Sequence, residues 1–158
     1  MNPILRSELD SNTRKALELA ETTLANSHCP HSGLCVSAGL LLEDGQVITG
    51  INYESDSYGL TLCAERTALS RAQAKGVIEK AMAIVISARW RANASASEPL
   101  TPCGACRQWL SELSHRLGRD LPVYSFWASE ESGLSTTARE LLPGSFSLDQ
   151  HEPDNPTN

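Results

Sequence analysis

Aromatic side chains are scarce, at 5% of the residues, and no apolar stretch approaches the length of a membrane-spanning helix. Positive charge is also in deficit: 13 Lys and Arg stand against 19 Asp and Glu, for a formal net charge of -6. A surface of that sign repels a phosphate backbone, which argues against a nucleic-acid polymer as partner and favours a small neutral substrate. The one local basic stretch is Arg89-Trp90-Arg91. The opening residues, Met1-Asn2-Pro3-Ile4-Leu5-Arg6, lack the basic-then-apolar pattern of a signal peptide. A soluble, cytoplasmic protein with no membrane partner is therefore expected. Its 5 cysteines are an odd number, two of them in a Cys-x-x-Cys pair, which suits metal or redox chemistry better than a disulfide framework.

The 158 residues are enough for one domain, expected over 1–148, with a polar, proline-containing disordered tail over 149–158. Leu9, Ala16, Leu17, Ala20 and Leu24 recur at helical spacing and predict a first helix over 7–26, with Ser7 as its cap. The apolar run Leu34 to Leu42, the pair Asp44-Gly45 and then Val47-Ile48 read as two antiparallel strands joined by a tight turn. A helix is expected from Cys63 to a stop at Gly76, then a buried strand over 81–86. Residues 88–101 are polar and irregular. Trp109, Leu110, Leu113 and Leu117 give a further helix stopped by Gly118, a strand follows over 123–128, and a short helix over 136–142 is halted by Pro143. Strands interleaved with helices in this way indicate an α/β layered domain.

Two motifs carry the chemistry. Cys63-Ala64-Glu65 and Pro102-Cys103-Gly104-Ala105-Cys106 both fall at expected helix starts, where exposed N–H groups favour thiolate over thiol. Cys-x-x-Cys alone is often a structural zinc knuckle or a redox pair, and a structural zinc closes with a fourth protein ligand. Here the partner motif offers one Cys beside a Glu, the inventory of a hydrolytic zinc site with a proton carrier that is not a ligand. Zinc with three thiolates is net negative, and Arg66, one helical turn from Cys63, is placed to offset that charge. His28, Cys29, His31 and Cys35 resemble a second cluster, but their spacing matches no zinc motif, and Cys35 in an apolar strand reads as a small buried hydrophobe.

Cys63-Ala64-Glu65-Arg66-Thr67-Ala68 and Pro102-Cys103-Gly104-Ala105-Cys106-Arg107-Gln108 resemble the two hallmark blocks of the cytidine deaminase family, in its small, homotetrameric, three-cysteine form. The likeness extends to Gly50-Ile51-Asn52-Tyr53-Glu54, Ser57-Tyr58-Gly59 and Leu141-Leu142-Pro143-Gly144-Ser145-Phe146. It implies a three-layer α/β/α cytidine-deaminase-like fold around a mixed five-stranded sheet. It implies Zn2+ on Cys63, Cys103 and Cys106, with Glu65 shuttling protons as water adds to C4 of a cytosine ring. It further implies that the Ala64 backbone holds the base, that Asn52 and Glu54 bind the sugar hydroxyls, and that Tyr58 and Phe146 close the pocket from neighbouring subunits of a homotetramer. The reaction so implied is deamination of cytidine and deoxycytidine to uridine and deoxyuridine plus ammonia, a step of pyrimidine salvage.

The chain departs from that family at three places. Leu34 stands where an aromatic is expected beside the nucleoside, Asp56 replaces a small residue near the sugar's 5′ end, and the segment 87–101 is several residues longer than usual. These changes leave room for an alternative substrate, an N4-substituted cytidine or a nucleoside antibiotic. A zinc-stabilised module without turnover is the other competing class, and Glu65 argues against it.

Overall fold

The computed structural model describes residues 1–92 and 99–148. The expected tail over 149–158 and part of the long 87–101 segment lie outside the described residues. In chain order the described elements are β1 (Asn2–Leu5), α1 (Ser11–Thr23), β2 (Leu34–Leu42), β3 (Val47–Ile51), α2 (Ala64–Ala74), β4 (Ala81–Trp90), α3 (Gly104–Arg116), β5 (Pro122–Trp127), β6 (Ser132–Thr137) and α4 (Ala138–Leu141). The strands form one mixed sheet in the order β1-β6-β5-β4-β2-β3. Only β4 and β5 run parallel; the other neighbours are antiparallel. A parallel pair needs a crossover, and α3 supplies it.

Period-2 alternation divides the core between the two faces of the sheet. Ala38, Leu40 and Leu42 of β2, with Ile84 and Ile86 of β4, pack with Ala64, Ala68 and Leu69 of α2 and Leu110 and Leu113 of α3. Leu41, Ala83 and Val85, the intervening residues, pack instead with Leu9, Ala16 and Leu17 at α1 and with Phe126 of β5. The result is the expected α/β/α layering. Gly50 sets how closely α2 can approach: a Cβ there would lie 2.4 Å from both the Ala64 carbonyl oxygen and the Ala68 nitrogen. The helix that begins at the Cys63-Ala64-Glu65 motif therefore rests directly on the β3 backbone.

Several boundaries differ from expectation. Among the described residues the sheet has six strands rather than five, because the N-terminal Asn2–Leu5 adds itself to the edge of β6. Nothing in its four residues demands a strand; its pairing partner does, and Pro3 is tolerated because an edge strand leaves N–H groups unpaired. Helix α1 is capped by Asp10 rather than Ser7, its carboxylate accepting from the N–H groups of Asn12 and Thr13. The segment expected as one helix over 136–142 splits, with β6 running to Thr137 and Thr137 capping the short α4. Strand β4 runs on to Trp90, whose ring stacks on Trp127 at 6.3 Å, so the basic triplet ends a strand.

Candidate active site

Cys63 is the N-cap of α2, and Cys103 is the N-cap of α3 with Cys106 in its first turn. Neither cap side chain accepts from the first-turn N–H groups of its helix. Both helices thus direct unsatisfied N–H groups toward a single cluster of sulfurs. The Cys63 and Cys103 sulfurs are 3.7 Å apart, and Cys103 and Cys106 are 3.5 Å apart. A tetrahedral zinc with Zn–S bonds of about 2.3 Å sets its sulfurs about 3.8 Å apart; these two separations match that spacing, and all three sulfurs lie within 4.8 Å of one another. Among the described residues no fourth His, Cys, Asp or Glu joins them.

The hydrogen bond with Cys106 is the main influence that lowers the Cys63 thiol to about 5, with Cys103 and Arg66 acting in the same sense. Cys106 moves up, for the reciprocal reason and because it is buried. The cluster favours a thiolate, the form a metal requires. Arg66 donates from Nη2 to the Thr61 carbonyl at 2.9 Å, which brings the same nitrogen within 4.0 Å of the Cys63 sulfur.

Beside the cluster lies a pocket of 320 Å³, within the range of small-ligand sites. Cys63, Ala64, Glu65 and Cys103 line it together with Leu34, Asn52 and Glu54. Glu65 is only 4% exposed. Burial pushes its carboxyl up to about 7, and the nearby Cys63 charge adds to the effect. Glu54 is governed differently. Partial burial would raise it, but the Ser32 hydroxyl and the N–H groups of His31 and Ser32 all donate to its carboxylate and hold it below the usual range. Asn52 accepts from the Val36 N–H and donates to the Leu34 carbonyl, both at 2.9 Å, so its amide extends the pairing of β2 past the end of β3.

Tyr58 and Phe146 do not line this pocket; they are 72% and 58% exposed. The four residues weighed as a second cluster do not assemble as one. His28 stacks on Tyr53, His31 pairs with Asp56 at 3.3 Å, and only Cys29 and Cys35 meet. Sequence reasoning passed over Ser32, Thr61, Leu100 and Thr101, which also line the pocket. All four are polar or apolar loop positions with no local signature.

Three convergent thiols and a buried carboxyl, bordering a small-ligand pocket, define a zinc-dependent hydrolase centre. The family profile described as "Cytidine and deoxycytidylate deaminase zinc-binding region" matches residues 10–117, a span that contains all three sulfurs and Glu65. The chain belongs to the cytidine deaminase family. It is 40% identical over 123 residues to a cytidine deaminase of Halalkalibacterium halodurans, covering 78% of this chain and 85% of that one. To a cytidine deaminase of Sporosarcina psychrophila it is 38% identical over 141 residues, covering 89% and 90%. Among solved structures, the cytidine deaminase from Burkholderia pseudomallei superposes with a TM-score of 0.73 at 34% identity, over 87% of this chain and 100% of that one.

Proposed function

We propose that residues 1–148 act as one catalytic domain that hydrolyses the exocyclic C–N bond of cytidine and deoxycytidine, releasing ammonia and leaving uridine or deoxyuridine. The observation that carries this reading is Glu65, a buried carboxyl that lines the pocket together with Cys63 and Cys103. Cys63, Cys103 and Cys106 would hold the zinc, which would supply Lewis-acid activation of water. Glu65 would take a proton from the attacking water and pass it to N3 of the ring, then take the proton of the new C4 hydroxyl and pass it to the departing amine, so that the carboxyl ends as it began. A group that must act first as base and then as acid works best near the operating pH, and burial brings Glu65 there. Ala64, at the start of α2, offers backbone groups to the base. Asn52 and Glu54 face the sugar; Glu54, kept as a carboxylate by three donors, has lone pairs left to accept from hydroxyls.

Tyr58 and Phe146 are assigned to the pockets of neighbouring subunits in a homotetramer. Their exposure supports this, as does that of Tyr53, Leu60, Leu62 and Leu148. A cytoplasmic setting suits the cysteines, all free among the described residues. Leu34 in the pocket wall favours a second reading, activity on N4-substituted cytidines, because a side chain smaller than an aromatic leaves space beside the ring. An ultraviolet assay of the purified protein against cytidine, deoxycytidine, cytosine, CMP and N4-substituted cytidines tests both readings. Cytidine and deoxycytidine are expected to turn over; inactivity on every compound overturns the assignment.

A further inference from the structure

Cys29 and Cys35 stand apart from the zinc centre, and the proposed reaction does not use them. Both are buried, at 1% and 3% exposure, in a small cluster with Leu24 and Ala128. Their sulfurs are 2.8 Å apart, within about 0.8 Å of a disulfide bond length. Between them the chain makes a tight turn, closed by the Gly33 N–H donating to the Cys29 carbonyl at 3.1 Å, with Gly33 in the left-handed region at φ 72°. Pro30, His31 and Ser32 at its tip are exposed. This same turn supplies every hydrogen bond described for the Glu54 carboxylate, from His31 and Ser32, and it leads straight into Leu34 of the pocket wall.

We propose that Cys29 and Cys35 are a redox modification site: a small hydroperoxide converts them to a reversible intramolecular disulfide that staples the turn holding Glu54 and so tightens substrate binding. In the first step one thiolate attacks a peroxide oxygen; the S–O bond forms, the O–O bond breaks, and water (or the alcohol) departs. In the second, the other thiol attacks the resulting sulfenic sulfur; the S–S bond forms, the S–O bond breaks, and a second water leaves with the remaining proton. The two sulfurs give up two electrons, and the peroxide accepts them. Contact between the thiols makes the second step fast once the first has occurred. Burial pushes the Cys29 thiol up to about 11, so the first step waits on opening of the exposed turn. Closing the bond requires little movement, so the oxidised form keeps the arrangement of His31, Ser32 and Glu54 and loses only its freedom to relax.

The test uses the zinc-loaded full chain treated with hydrogen peroxide, then alkylated and mapped by peptide mass spectrometry. The expected result is a loss of about 2 Da carried by one Cys29–Cys35 cross-linked peptide, reversed by a thiol reductant, with zinc content unchanged. Kinetics with cytidine should show KM falling about two- to threefold at unchanged kcat, with no such response in Cys35→Ala. Alkylation of both Cys29 and Cys35 after peroxide treatment, alongside loss of zinc, overturns the site. A cross-link that leaves KM where it was overturns its coupling to the pocket. The kinetic arm rests on the deaminase reading, whereas the mapping arm does not, so failures of the two are distinguishable.

Discussion

Glu65 and Glu54 line one pocket with opposite protonation behaviour, and each behaviour has a visible cause. Glu65 is buried beside the Cys63 charge, so its charged form is disfavoured; Glu54 receives one hydroxyl and two N–H donors, so its charged form is favoured. Replacing Glu65 by Gln keeps the shape and removes the proton carrier. Glu65→Gln is expected to retain zinc and fold while kcat falls by about 100- to 10,000-fold or more, read by metal analysis and single-turnover kinetics. Near-normal activity in that variant would end the proposed mechanism. Ser32→Ala removes one of Glu54's donors without touching the sulfurs. KM should rise by about three- to tenfold with kcat little changed, because a charge-assisted hydrogen bond that orients a binding group is lost.

At the scale of elements, the starts of α2 and α3 assemble the metal site, and the placement of α2 and the capping of α1 can each be tested. Gly50 lets α2 lie on β3; the methyl of Gly50→Ala would meet helix backbone, which cannot move aside as a side chain can. That variant should lose zinc affinity and melt lower by roughly the 1–3 kcal/mol typical of overpacking, measured by calorimetry. Asp10 anchors the start of α1 on the opposite face of the sheet. Asp10→Ala should cost about 1 kcal/mol at neutral pH. Hydrogen bonding from the Thr13 hydroxyl, and then from the Thr13 N–H, lowers the folded-state value of Asp10. Its contribution is therefore complete above the unfolded-state value of about 4 and is lost as pH falls through the lower folded-state value. Wild type and Asp10→Ala should converge in stability at strongly acidic pH, and a gap that persists there would refute the cap assignment.

For the whole molecule, the proposed sharing of pockets makes a prediction that a monomer cannot satisfy. Phe146→Ala and Glu65→Gln are each expected to be impaired. Mixing and reassembling them should recover part of the activity, because some pockets then pair an intact Glu65 with a neighbour's intact Phe146. Light scattering supplies the companion measurement, and a monodisperse monomer with full activity would overturn both. Phe146 is tied to α3 by its carbonyl, which accepts from Gln108 Nε2 at 2.8 Å, so its segment is held close to the helix that carries Cys103 and Cys106.

Much of the metal site was legible because its parts are local: Cys103 and Cys106 are one helical turn apart, and Cys63 and Glu65 share another first turn. The α/β layering was equally legible, since helical spacing marked the helices and short apolar runs bounded by turn residues marked the strands between them. Tertiary structure decided what depends on partners distant in the chain. It set Cys63 3.7 Å from Cys103, made a sixth strand of Asn2–Leu5 by offering it the edge of β6, turned Asn52 into a bridge to β2, and brought Cys29 against Cys35. None of these follows from local propensity, because a short strand, a buried amide or a thiol pair is stabilised only by groups that the folded chain places opposite it.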